Sequence, residues 1–427
     1  MTPAIGPLVM TGRAIGAICG LVAVFGCVQA GVGAVLLRRF VRGAARRRHT
    51  DVPVVPVTVL KPLHGDEPML EQALDSFCRQ DHPDFQIVFG VQDPEDPAIA
   101  VVRRLQQRFP QLQLDLVVST QQHGPNRKIG NLINMLSSAR HDILVMSDSD
   151  IHAEPNYLRA VSTALHRPGV GLVTTLYGGI PADGSLARRL AAAQVNHNFL
   201  PGVLMSRLLG RQDCLGATMA LRRETLEAVG GLAVLSPHLA DDSALGQAVR
   251  ATGAAIAIAD TMTRTTVSDA ALGAMYAHEL RWGRTVRSVE PVGYALSAIQ
   301  LPLFWASLAV LAAPAAGWSW GVLIGVWLWR AATARMIDGV VRSQPTLSGA
   351  LLPLRDWISA LVMVNSFRGG TVAWRGHVIS VPARSRIAAR AASKSVAAPT
   401  IVTDALAGSP IVSAGQQPAH TQPQTVE

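Results

Sequence analysis

The sequence predicts an α/β domain built on a parallel sheet and flanked by membrane helices. Three observations carry that reading. Runs rich in Val, Ile and Leu alternate with helix-periodic stretches between residues 54 and 147, and each connection is long enough for a crossover. An uncharged apolar run, Ala14 to Leu37, is long enough for a bilayer core of roughly 30 Å. The 427 residues are 49% hydrophobic and only 16% charged, against about 25% charged in soluble domains. With a mean hydropathy of +0.27, this excludes a disordered chain, a disulfide scaffold and an ordinary soluble enzyme.

Residues 1–13 form a short N-terminal segment, 14–37 a transmembrane helix and 38–50 a basic juxtamembrane linker. Arg38, Arg39, Arg42, Arg46, Arg47 and Arg48 follow the apolar run. A cleaved signal peptide carries its charge before that run. The positive-inside rule puts everything after residue 38 in the cytoplasm. Residues 291–382 read as a C-terminal membrane region of about two spans plus an interfacial or re-entrant helix. Ala295 to Trp329 would be about 52 Å long as one helix, and Pro314 and Gly317 break it. Leu351 to Phe367 carries an apolar stripe interrupted by Arg355 and Asp356. Residues 383–427 lack any period and read as a disordered tail. The net charge of +9 gathers beside the apolar segments, which suits anionic headgroups and not nucleic acid. Cys19, Cys27, Cys78 and Cys214 show no paired spacing and read as free thiols.

Within 51–290 the strands are 54–60, 85–91, 112–118 and 142–147, with helices over 67–79, 99–109 and 128–139. Ligands bind beyond the carboxyl ends of such strands. Three successive ends carry charge: Lys61 to Gly65, Gln92 to Asp96 with Asp93, and Asp148-Ser149-Asp150. Asp148 and Asp150 can approach one divalent cation, Mg²⁺ or Mn²⁺, through hard oxygens; a helix cap or solvated turn accounts for the same residues. Asn126 and Lys128 at a helix start suit a phosphate or a uracil edge, or simply cap the helix. Either Asp241 or Asp242 could take a proton from an attacking hydroxyl, or cap the helix that follows. Arg281 could neutralise a leaving diphosphate and Trp282 stack on a sugar; an interfacial Arg-Trp pair is the alternative. Ser185 to Gly210 reads as an amphipathic segment that could admit a lipid, or as a core helix.

In this order, Asp93, Asp148-x-Asp150, Asp241-Asp242 and His278-x-x-Arg281-Trp282 resemble a membrane glycosyltransferase of the family 2 superfamily. Val59 to Gly65, Asn126 to Leu132 and Cys214 to Arg223 make it similar to ceramide glucosyltransferases (family 21-like). The His-Glu-Leu-Arg-Trp block looks like the bacterial branch associated with hopanoid biosynthesis. His278 stands where Gln or Arg is usual. The resemblance implies a nucleotide-sugar glycosyltransferase type A, Rossmann-like domain in a multi-pass protein of a bacterial inner membrane. It implies that Asp93 holds uridine, Asp148 and Asp150 meet the nucleotide and its metal, and Asp242, beside Asp241, is the base. Arg281 and Trp282 close over donor and acceptor. Lys61, Asn126, Lys128 and His278 are assigned to substrate. The expected reaction is inverting transfer of N-acetylglucosamine or glucose from a UDP-sugar to a membrane lipid hydroxyl, a bacteriohopanepolyol first and ceramide second. A processive polysaccharide synthase and a non-catalytic scaffold are the remaining readings.

Overall fold

The computed structural model describes residues 6–46, 55–341, 346–369, 371–374 and 377–380; the tail expected over 383–427 lies outside them. The first apolar run sits inside one 40-residue helix, α1 (Pro7–Arg46). Residues 38–46 are therefore helical and not linker. No proline stands between Leu37 and Arg46 to end the helix.

The chain then forms β1 (Val57–Pro62), α2 (Leu70–Cys78), β2 (Phe85–Val91), α3 (Ala98–Arg108), β3 (Gln113–Val118), α4 (Arg127–Leu136) and β4 (Ile143–Ser147). These four strands are parallel, in the order β3-β2-β1-β4. Val59, Ile87, Phe89 and Val145 enter one core with Leu74, Phe77 and Val102. Their neighbours Leu60, Val88, Leu144 and Met146 enter a second core with Ile129 and Leu132. The period of two thus fills both faces with apolar side chains.

Beyond β4, where the sequence assigns no strands, the sheet becomes mixed. The second half contains β5 (Ile151–His152), α5 (Tyr157–Leu165), β6 (Val170–Pro181), α6 (Leu186–Gln194), α7 (Leu200–Leu208), β7 (Thr218–Arg222), α8 (Arg223–Ala228), α9 (Asp241–Ala251) and β8 (Ala255–Val267). The full order is β3-β2-β1-β4-β7-β6-β8-β5. β7 runs antiparallel to both β4 and β6, and β5 antiparallel to β8. Met219, Ala220 and Leu221 are buried on both faces of β7, so apolar content does not reveal its direction.

The C-terminal part comprises α10 (Leu272–Val289), α11 (Pro291–Leu296), α12 (Pro302–Ala312), α13 (Gly317–Val341), α14 (Leu352–Ser366) and a hairpin of β9 (Thr371–Trp374) and β10 (His377–Ser380). Among the described residues α1 is the one helix long and apolar enough to cross a membrane. Residues 291–300 and 302–312 qualify only as a pair, bent by 69°. Among the described residues of 291–382, no single helix meets that length and hydropathy by itself. α12 has 11 residues, about 17 Å, and α13 carries Arg330, Arg335 and Asp338. α1 is packed onto the α/β domain: Ala34 and Leu37 share a cluster with Leu176, Leu200, Leu204 and Ile337. Gly33 permits the approach, since a Cβ there would lie 2.5 Å from the Pro201 Cβ. Ser185 to Gly210 splits into α6, a π-helical turn over Val195–Phe199 and α7. Leu190, Val195, Leu200 and Leu204 are buried, which matches the core-helix alternative. All four cysteines are free.

Candidate active site

The apolar strand β4 ends at Ser147, and the next three residues, Asp148-Ser149-Asp150, form the turn into β5. Two helix N-termini converge on this turn. α4 brings Lys128, whose Nζ lies 2.6 Å from Asp148 Oδ1 and 3.6 Å from Asp241 Oδ2. α9 begins with Asp241 and Asp242, where carboxylates meet the positive helix end. Burial opposes the Lys128 ammonium, but the charges of Asp148, Asp241 and Asp242 prevail and hold its pKa well above that of an ordinary lysine. Asp241 is buried, and its Oδ2 lacks a hydrogen-bond donor.

Asp242 accepts a hydrogen bond from the Ser243 backbone N–H at 2.7 Å. Burial first, and then the charge of Asp241, push its carboxyl up to about 6, with Lys128 pulling the other way. Asp150 accepts from the Thr265 hydroxyl at 2.6 Å. Its carboxyl is pushed up to about 7 by burial and by Asp148. Three aspartates, Asp148, Asp241 and Asp242, thus act on the Lys128 ammonium, while Lys61 acts on Asp150, so carboxylates outnumber ammoniums. Hard carboxylate oxygens at Asp148 and Asp150 fit a divalent cation that takes its remaining ligands from a substrate diphosphate. Among the described residues no group of three or more His, Cys, Asp or Glu side chains is arranged to hold a metal ion.

Two residues assigned to substrate are placed elsewhere. Lys61 lies within β1 and is fully buried. Its Nζ donates to the Asp148 carbonyl at 2.6 Å and to the Ser147 hydroxyl at 3.2 Å, and it stands 3.6 Å from the centre of the Phe77 ring. Burial lowers its pKa to about 7 despite the nearby Asp150 and Asp148. It props the aspartate turn from beneath. Asn126 is the N-cap of α4: its Oδ1 accepts from the Ile129 N–H at 3.1 Å, and its Nδ2 donates to the His238 carbonyl at 2.8 Å. It ties the helix carrying Lys128 to the loop leading into Asp241. Asp93, past the end of β2, is exposed and accepts from the Glu95 N–H at 2.9 Å, while Asp96 is buried and holds the backbone N–H groups of Gly65 and Ala98.

The remaining candidates lie on α10, which starts five residues after β8. His278 Nδ1 lies 2.8 Å from Asp269 Oδ2, and its ring meets Trp282 edge-on at 4.5 Å. His278 is thus engaged within the protein, not presented openly to substrate. The hydrogen bond from His278 holds the Asp269 carboxyl below the usual carboxylate range, against burial. Trp282 is 41% exposed.

A family profile described as "Glycosyl transferase family 21" matches residues 18–387. The chain belongs to that family. It is 26% identical over 209 residues to "Ceramide glucosyltransferase 1" of Caenorhabditis elegans, covering 48% of this chain and 44% of that protein. It is 32% identical over 115 residues to "Ceramide glucosyltransferase" of Candida albicans, covering 24% and 21%. The family 21 chain therefore spans less than half the length of these relatives. Among solved structures it is similar to the mannosyltransferase PcManGT of Pyrobaculum calidifontis in complex with GDP-Man and Mn²⁺, at 19% identity, TM-score 0.41, covering 81% of this chain and 99% of that one. TarS 1-349 of S. aureus in complex with UDP-GlcNAc gives 14% identity and TM-score 0.37, covering 76% and 97%. Likenesses this remote carry no argument about chemistry.

Sequence reasoning missed three members of the site. Thr265 holds Asp150 from 115 residues away, and Glu67 accepts from the Ser149 hydroxyl; neither has a local signal. Gly216 packs against Asp242, since a Cβ there would lie 3.1 Å from its Oδ2. It falls inside the Cys214 to Arg223 block, which carries the resemblance without naming the glycine's task.

Proposed function

We propose that this family 21 chain transfers a hexose from a UDP-sugar to the hydroxyl of a membrane lipid. The observation that carries the proposal is the Asp148–Lys128–Asp241 chain of charge beside Asp242, whose raised carboxyl suits a base working near neutral pH. Asp242 takes the proton of the acceptor hydroxyl as its oxygen bonds to the anomeric carbon. The bond from that carbon to the diphosphate oxygen breaks, the electron pair leaves on UDP, and configuration inverts. Asp93 contacts the uridine, and Lys128 steadies the carboxylates around the diphosphate. Arg281 and Trp282 close over donor and acceptor. A divalent cation, Mg²⁺ or Mn²⁺, held by Asp148 and Asp150, would offset charge growing on the leaving group.

The acceptor is a ceramide-like lipid and the sugar glucose. Relatives named ceramide glucosyltransferase support this reading, whereas the hopanoid polyol and N-acetylglucosamine placed first by the His-Glu-Leu-Arg-Trp resemblance have no counterpart among them. α1 anchors the chain in a bilayer, with the catalytic domain on the Arg-rich, cytoplasmic side. The test is mass spectrometry of membrane lipids from a host expressing the full chain, with ceramide present and, separately, with a hopanoid pathway. Hexosylceramide is the expected product. A hexosylated hopanoid would move the acceptor to the second class; a polymer would point to a processive synthase; unaltered lipids in both hosts would refute lipid glycosylation.

A further inference from the structure

The His278 to Trp282 block contains one charged residue, Glu279, to which the motif gives no task. Glu279 faces inward from α10 and meets Arg355 of α14: Arg355 Nη1 donates to Oε1 at 2.8 Å and Nη2 to Oε2 at 2.7 Å. Both side chains are buried, at 1% and 7% exposure. The same guanidinium donates to the Leu190 carbonyl of α6 at 3.3 Å and to the Ser359 hydroxyl at 3.1 Å. Ser359 donates onward to Gln194 at 2.9 Å. One arginine therefore joins α6, α10 and α14.

We propose that the Glu279–Arg355 pair is the positioning device that fixes the rotation of α10, and so the aim of Arg281 and Trp282. The inference rests on the glycosyltransferase reading above. Met275, Glu279 and Gly283 form the buried stripe of α10. At 100° per residue, positions 278 and 281 lie about 100° and 160° round the helix from Glu279, while 282 borders the stripe with its indole 41% exposed. A buried ion pair is a poor source of stability compared with apolar side chains of the same volume. A two-pronged guanidinium–carboxylate contact instead fixes distance and angle together, which an apolar contact does not. Gly283 pins the helix again one turn on, where an added Cβ would lie 2.5 Å from the Tyr294 hydroxyl and 3.4 Å from Ser366 Cβ. α10 also follows directly from β8, whose Thr265 holds Asp150, so a turn of α10 moves Arg281 and Trp282 relative to the carboxylates.

The experiment uses the full chain in detergent–phospholipid micelles, with Arg355→Lys and Glu279→Gln as variants. Transfer from UDP-glucose to ceramide, UDP affinity with Mn²⁺, and hydrogen exchange along the whole chain are measured in parallel. Misplacement lowers kcat by about tenfold to a hundredfold, while UDP affinity stays within about twofold and exchange quickens in α10 and its partners α6 and α14 but not in β1 to β4. In a Trp282→Ala background, adding Arg355→Lys changes kcat by less than about twofold, because both act through one group. An unchanged kcat in both variants, losses that multiply with Trp282→Ala, or exchange spreading through β1 to β4 would each overturn the inference. A wild-type chain without transfer activity refutes the functional reading instead, and the exchange of α10 then decides the pair on its own.

Discussion

Replacing Lys128 by Met removes the cation around which three aspartates are arranged and keeps the length of the side chain. Unit charges about 4 Å apart interact by about 4 kcal/mol at an effective dielectric near 20, and the two contacts here measure 2.6 and 3.6 Å. Asp148 is 36% exposed and Lys128 19%, so solvent screens part of this. A net loss of about 2–3 kcal/mol in carboxylate stabilisation remains, shared among the aspartates. One pKa unit is about 1.4 kcal/mol. Shared over three carboxylates, this leaves Asp242, which stands at about 6 with Lys128 in place, to rise by about half a unit. A base works when deprotonated, so activity is lost as pH falls through its pKa. The assay is kcat/KM for transfer from UDP-glucose across the pH range around neutrality, which reports the free enzyme. The wild type should reach half its plateau near pH 6 and Lys128→Met about half a unit higher. Any deficit persisting at high pH measures what Lys128 does for the diphosphate. An acid limb that stays in place would refute the coupling of Lys128 to the base.

Other substitutions test the surrounding structure. Lys61→Met should weaken UDP binding in the presence of Mn²⁺ by about tenfold, because the Asp148 carbonyl loses its buried donor; calorimetry with unchanged affinity would show that the prop is dispensable. Gly216→Ala should lower kcat and leave UDP affinity intact, since the new Cβ would lie 3.1 Å from Asp242 Oδ2 and small displacements of reacting groups are costly. Gly90→Ala places a Cβ 2.3 Å from Met135 Sδ and 2.5 Å from Asn131 Oδ1; overpacking should reduce stability by about 1–3 kcal/mol, read as a lower melting temperature.

The parallel half of the sheet was legible because Val59, Ile87 and Val145 alternate with Leu60, Val88 and Leu144 in runs bounded by turn residues. Strand direction in the other half was not, since β7 has the same buried composition whichever way it runs. The positions of Asp148, Lys128 and Asp242 in the fold were legible because charged residues stand directly after an apolar strand or at helix starts. The parts that failed depend on contacts distant in sequence. Lys61 looks like a strand-end cation, yet β1 continues through Pro62 and carries it underneath the turn. Asn126 looks like a ligand for phosphate, yet the α4 N–H groups claim its oxygen. Arg355 and Asp356 look like interruptions in an apolar stripe, yet α14 turns them inward onto Glu279 and Arg330. No local periodicity encodes such partners.

Turnover by Asp242→Asn, with UDP-glucose, ceramide and Mn²⁺ at saturation and UDP affinity measured beside it, probes the proposed chemistry at its centre. Loss of the proton acceptor should cost about a hundredfold to ten-thousandfold in kcat with nucleotide binding retained. Wild-type turnover by that variant would contradict the account.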